Sequence, residues 1–147
     1  MFSRLPCLLL ACFLLLVGGC ANLMSGITSQ LADDLAATIV NSEDIDTVRE
    51  GVPAYLLLID SFLRSSPDSE DLLLAASNLN GAFSALVVDE NRIKRFSDKS
   101  MRYVEHAACV SKSPLCDARQ QSYKDFEQIV SLLKINDVQI AYSLGVA

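Results

Sequence analysis

An all-α fold is predicted for this chain, on three observations. Apolar residues recur every three or four positions through successive segments, the spacing that gathers them on one face of a helix. Polar stretches rich in Ser, Asp, Asn and Pro separate those segments, where helices start and stop. No stretch alternates apolar and polar residues as a half-buried strand does.

The chain opens on an address segment. Residues 1–6 carry one positive charge, Arg4, and residues 8–17 form an uncharged apolar run that leads into Gly18-Gly19-Cys20. A basic start, a short apolar middle and small residues at a cleavage point are the layout of a secretory signal. The run is too short to cross a bilayer, which takes about 20 residues. Small residues directly before a cysteine resemble the bacterial lipobox, in which the thiol is lipidated and the preceding segment removed. On that reading residues 1–19 are a lipoprotein signal peptide. Cys20 becomes the lipid-bearing N-terminus of a helical repeat domain over 20–147, held in the cell envelope. Asn22, with no Asp before it, favours the outer membrane in a Gram-negative host. The alternative is an ordinary signal peptide with an incidental cysteine.

A first helix is predicted over 23–40. Leu23, Ile27, Leu31, Leu35 and Ile39 make one stripe, with Ser29, Gln30, Asp33 and Asp34 off it. Asn41-Ser42-Glu43-Asp44 is a break with good capping residues. A second helix is predicted over 45–64, its apolar face carrying Val48, Val52, Tyr55, Leu56, Ile59, Phe62 and Leu63. Pro53 lies inside it and removes one backbone donor, so a kink or split is expected near Glu50-Gly51. Ser66 then caps a third helix, with Pro67 in its first turn and Asp68, Glu70 and Asp71 at the positive end of the dipole. This third helix reaches about residue 88 and is apolar on most sides, as a central helix is. Ser77, Gly81, Ser84 and Val88 form a ridge of small residues along it, where a neighbour can approach closely. Asn78 and Asn80 are polar exceptions, read as lining a groove or bonding locally.

A fourth helix is predicted over 89–110. Ile93, Phe96, Ser100, Tyr103, Val104 and Ala107 make its inner face, and Arg92, Arg95, Lys99 and Arg102 a basic outer face. The basic face meets an acidic partner or anionic head groups, or is a solvated surface balanced by acids elsewhere. Ser122 caps a fifth helix through residue 134, with Phe126, Ile129, Val130 and Leu133 inward. A sixth starts at Asn136 or Asp137. The pattern stops at Ala147 with apolar residues still accumulating, and a truncated reading frame is expected. Short turns between successive helices predict stacked antiparallel helix hairpins, a tetratricopeptide-like α-solenoid. Ala54, Leu58 and Ser61, followed by Ser66-Pro67, resemble the second helix and terminal proline of such a repeat. The proline is one residue late, and the Trp-Leu-Gly signature is missing.

Composition narrows the chemistry. The formal charge is −6, and it becomes −7 once residues 1–19, with Arg4 and no acid, are removed. That balance excludes nucleic acid as a partner, because phosphate recognition needs a basic footprint. Cys7 and Cys12 leave with the signal. Cys109 and Cys116 remain, with six residues between them, Pro114 included, and in an oxidising compartment they are expected to close as a disulfide. Two free buried thiols or half a zinc site are the alternatives. Zinc needs more ligands than the lone His106 supplies, and the spacing does not fit a knuckle. His106 beside Glu105 is a general base or, more simply, a solvated helix residue. Asp33-Asp34 and Glu43-Asp44-Asp46 lack the glycine and spacing of a calcium loop. No phosphate loop or nucleophile elbow is present. No enzyme activity, metal or cofactor is expected.

Several motifs together resemble a known family. They are the lipobox cysteine, Val48-Arg49-Glu50-Gly51-Val52-Pro53-Ala54-Tyr55-Leu56-Leu57-Leu58, and Ser66-Pro67-Asp68 before Leu72-Leu73-Leu74-Ala75. To these add Cys109…Pro114-Leu115-Cys116-Asp117-Ala118-Arg119, Asp137-Val138 and Leu144-Gly145. They look like the N-terminal half of the TatT family, the T components associated with TRAP transporters. The resemblance implies a lipid-anchored, periplasm-facing helical protein that docks a periplasmic solute-binding protein and assists delivery or storage of a small organic ligand. It also implies homo-oligomers. The other reading is a structural or envelope-assembly lipoprotein without a transport role. Hydrolysis would need a nucleophile and base that are not found.

Overall fold

A computed structural model describes residues 41–147, together with Asp34, Ala37 and Thr38. The signal segment, Cys20 and most of the helix expected over 23–40 lie outside the described residues. No strand occurs among those described, and the chain is all-helical, in a bundle or solenoid-like arrangement.

Helix α1 spans Ile45–Ser65. Asp44 caps it, its carboxylate accepting from the backbone N–H groups of Asp46 and Thr47, both at 3.1 Å. Of the kink or split expected near Glu50-Gly51, the split does not occur, since one helix runs through both Gly51 and Pro53. Pro53 removes the donor that would reach the carbonyl of Arg49. Arg49 is exposed, on the side of the helix away from the core. Val52 and Leu56, buried on either side of the proline, hold the helix against the core.

The connection to the next helix also differs from expectation. Ser66 does not start a helix but closes α1, its N–H bonding back to the Phe62 carbonyl at 3.0 Å. Ser66 to Ser69 is a tight turn, with Ser69 N–H on the Ser66 carbonyl at 3.2 Å. Pro67 occupies its second position, where proline is favoured. Helix α2 then spans Glu70–Ser84, four residues short of the predicted end. Helix α3 spans Glu90–Val110, capped by Asp89 on Arg92 N–H at 2.8 Å.

These three helices run up, down and up. Arg49 near the start of α1 donates to the carbonyl of Leu86 just past the end of α2. Asp68 before α2 meets His106 late in α3 at 3.0 Å. Helix α2 is the central element, as its composition predicted. Leu72, Leu73, Leu74, Ala75, Ala76, Leu79 and Phe83 are all buried, and the core lies on both sides of it.

The small-residue ridge does its expected work over most of its length. Ser77 and Ser100 exchange hydroxyl-to-carbonyl hydrogen bonds across the α2–α3 seam, at 2.9 and 2.7 Å. A Cβ on Gly81 would lie 3.1 Å from Ser100 Oγ, so glycine is what allows the approach there. Val88 is no part of the ridge: it is 86% exposed.

Beyond α3 the chain makes a closed loop. Ser113 N–H reaches the Ala108 carbonyl at 2.9 Å and Lys112 N–H the Cys109 carbonyl at 3.2 Å, the paired bonds of a Schellman ending. Lys112 takes the left-handed conformation there, φ 57°, at a position usually given to glycine. Cys109 and Cys116 are joined in a disulfide, with Cα atoms 4.6 Å apart. A 3₁₀ turn over Ala118–Gln120 leads to α4, Tyr123–Ser131, which Ser122 caps as predicted. Helix α4 ends earlier than expected, and Val130, predicted inward, is 46% exposed. A second 3₁₀ turn, Ile135–Asp137, leads to α5, Val138–Val146. Helix α5 packs on α2 and α3, with Ser143 donating to Asn78 Oδ1 at 3.0 Å.

Asp137 ties the loop to α5. Its carboxylate accepts from the Ser113 hydroxyl at 2.6 Å and from Lys134 N–H at 2.9 Å. The Ser113 bond first, and then the backbone bond, hold this carboxyl below its ordinary value of 3.8. A group with a depressed native pKa stabilises the fold above its unfolded pKa, and that contribution is lost as pH falls through the native one. Thermal stability should therefore fall as pH drops below about 4, and Asp137→Asn should flatten part of that slope. Parallel pH profiles of the two proteins would remove Asp137 from the account.

Candidate functional site

The basic residues of α3 do not form one uniform face. Arg92, Arg95 and Arg102 are exposed and make no ion pair among the described residues. The Arg92 guanidinium lies 5.8 Å from the centre of the Phe96 ring, within cation–π reach. Lys99, predicted to belong to the outer face, turns towards α1. Its ammonium pairs with Asp60, both side chains about three-quarters covered. Tyr103, one turn on, donates to the other Asp60 oxygen at 2.6 Å, and Lys99 Nζ lies 5.7 Å from the Tyr103 ring centre. Burial and then the bond to Asp60 push the Tyr103 hydroxyl well above its ordinary pKa. Asp60, Lys99 and Tyr103 thus form a polar clamp between α1 and α3 over the central helix.

Two shallow clefts lie along α3, one beside this clamp and one at the start of the helix. One, of about 320 Å³, is lined by Arg95, Phe96, Asp98, Lys99 and Arg102. Asp98 is engaged by Lys94 at 2.7 Å, and that bond lowers its carboxyl pKa. The other, of about 260 Å³, lies at the end where α1 and α3 begin and α2 ends. Arg49 and Arg92 stand over an apolar floor that includes Phe83 and Leu86. Arg49 is 43 positions from Arg92, and only the up-down-up course brings them together. Sequence reading missed Arg49 and Asp60 as site residues, because no local pattern links them to α3, and it placed Tyr103 on the inner face of that helix without its Asp60 partner.

The remaining candidates resolve into structural roles. Asn80 is fully buried, its amide donating to the Ala76 carbonyl at 2.7 Å, so it lines no open groove. Its Oδ1 has no hydrogen-bond partner among the described residues. Asn78 is half-buried and turned to α5. Asp44 is a cap, with Thr47 also donating its hydroxyl at 2.6 Å, and Asp46 pairs with Arg49. His106 and Asp68 meet on open surface, with no nucleophile in that pair. Cys109, Cys116 and Asp117 are the one group of three potential metal ligands among the described residues, but the disulfide leaves no thiolate to bind one.

The family model described as TRAP transporter T-component matches residues 41–147. The chain belongs to that family. It is therefore an accessory component of a TRAP transport system, associated with the membrane. No described helix is long and apolar enough to cross a bilayer. No curated protein and no solved structure matches the chain.

Proposed function

We propose that this TRAP T-component is a periplasm-facing lipoprotein, anchored through Cys20, that docks a solute-binding protein on the basic side of α3. The observation that carries this reading is the trio Arg92, Arg95 and Arg102. They are exposed, unpaired among the described residues, and flank two clefts with aromatic floors. The net charge of the chain is −6, so this is a local reversal of sign suited to an acidic protein surface. Charge complementarity of that kind speeds encounter and sets register. The clefts beside the arginines give room for part of a small organic ligand at the docked interface.

The test is capture of the native protein from its own host membranes in mild detergent. A TRAP solute-binding protein should elute with the wild type, and Arg92→Glu/Arg95→Glu/Arg102→Glu should reduce it at least tenfold. The wild-type yield should also fall with added salt, because exposed charges are screened beyond about 10 Å at 0.1 M. Intact mass should show residues 1–19 removed and Cys20 lipidated. Elution of envelope-assembly components alone would replace the transport role with a structural one.

A further inference from the structure

The Cys109–Cys116 bridge has a carboxylate set against it. Both cysteines are half-buried and Asp117 is exposed. Asp117 Oδ2 lies 3.7 Å from Cys116 Sγ. A bridged sulfur has no proton to donate, so this contact is not a hydrogen bond. The Asp117 side chain caps no helix end and forms no ion pair among the described residues. Arg119, two positions on, is engaged by Glu105 at 3.2 Å. The placement of Asp117 also costs backbone energy. It is left-handed, φ 60°, a conformation that non-glycine residues seldom take and that Asp and Asn tolerate best. Two backbone bonds hold it there. Ala118 N–H donates to the Leu115 carbonyl at 3.1 Å, and Gln120 N–H to the Asp117 carbonyl at 3.0 Å. Leu115 and Ala118 are buried in the core, so the strained residue between them is fixed from both sides.

Thiol exchange gives that position a consequence. An external thiolate attacks one sulfur of the bridge, a new S–S bond forms, and the other cysteine leaves as a thiolate. A second external thiolate then attacks the mixed disulfide and releases the remaining cysteine. Two electrons pass to the bridge, and the external thiols leave joined as their own disulfide. Whichever sulfur is attacked first, Cys116 is one of the three sulfurs that share the negative charge in that step. The carboxylate beside it repels that charge, so both routes are slowed. After opening, the same carboxylate repels a thiolate on Cys116, the form that recloses the bridge. We propose that Asp117 is an electrostatic latch on the bridge, which slows thiol exchange in both directions and selects cationic thiols over anionic ones. The latch protects the ring that positions Ser113 on Asp137 and, through Asp137, the entry to α5. The reductant class that opens it is a thiol carried beside positive charge.

The rate of bridge opening in the full chain, in mild detergent, tests the latch. Cys109 and Cys116 are the only cysteines after residue 20, so alkylation of freed thiols, read by mass, reports on this bridge. Cysteamine, a cation, is compared with 2-mercaptoethanesulfonate, an anion, at equal thiolate concentration and low salt. Cysteamine should open the wild type at least about fivefold faster. Salt at about 1 M should bring that ratio towards one, because the Debye length falls to about 3 Å. Asp117→Asn keeps the side-chain shape and the tolerance of the left-handed conformation. It should open several-fold faster with mercaptoethanesulfonate, and its ratio should fall towards one. Asp117→Gly should do the same. Glu90→Gln removes an equal charge at the far end of α3, about 28 Å from Cys109, and should keep the wild-type ratio. A wild-type ratio in Asp117→Asn overturns the latch. So does an equal fall in Glu90→Gln, which would assign the selectivity to net charge. Faster opening of Asp117→Gly alone would show a mechanical role of the loop and also overturn it.

Discussion

Phe83→Ala should lower the unfolding free energy by about 3–5 kcal/mol, the range for removing a buried aromatic side chain. Phe83 is 1% exposed and clusters with Val52 and Leu56 of α1 and Leu79 of α2. Its ring meets the Phe96 ring edge-to-face, 4.9 Å between centres at 85°, an arrangement that adds about 0.5–1.5 kcal/mol beyond burial. The cavity left by alanine would be walled by three helices, each fixed by its own contacts elsewhere, so it can close little. Phe96→Ala should lose less, since Phe96 is half-exposed. Urea unfolding followed by circular dichroism checks both. A loss below about 1 kcal/mol for Phe83→Ala would show that the site collapses, and the three helices could not then be the rigid frame described. Because Phe83 also floors the Arg49–Arg92 cleft, the variant should show weaker partner capture even under conditions where it stays folded.

How much of this was legible in the sequence depends on the range of the interaction that decides each feature. Helix α3 was legible whole, because its cap at Asp89 and its inner face from Ile93 to Ala107 are local patterns that the tertiary structure reinforces. The central place of α2 was legible too, from its apolar residues on nearly every side. The turn at Ser66 was misplaced because Ser66 and Ser69 are both competent caps. Pro67 suits the first turn of a helix and the second position of a β-turn equally, and the choice falls to the Ser66 bond back onto Phe62. The expected split at Pro53 failed for a related reason. The local cost of the proline is real, but the buried side chains on either side of it outweigh that cost. The site was half visible. The arginines of α3 announce themselves by their spacing, whereas Arg49 and Asp60 join them only through chain reversal. Nor does any glycine mark the left-handed Lys112, whose conformation belongs to the closed loop around it.

That loop gives the second large effect. Cys109→Ser/Cys116→Ser should destabilise the protein by roughly 2–3 kcal/mol, the loop-closure estimate for a ring of this length. The bridge spans seven positions, and most of its contribution comes from restricting the unfolded chain. Its native-state consequence is more specific. Ser113, inside the ring, donates to Asp137, and Asp137 accepts from Lys134 N–H at the entry to α5. Opening the ring frees Lys112 to leave its strained conformation, and Ser113 then loses the position from which it holds Asp137. The destabilisation should therefore appear first in α5, as faster amide exchange over residues 138–146, while α2 and α3 stay protected. Dithiothreitol should move wild-type protein onto the unfolding curve of the double serine variant and leave the variant unchanged. A variant that loses stability evenly across all helices would show that the bridge acts on the unfolded chain alone, and that α5 is held by its packing on α2 and α3 without help from the loop.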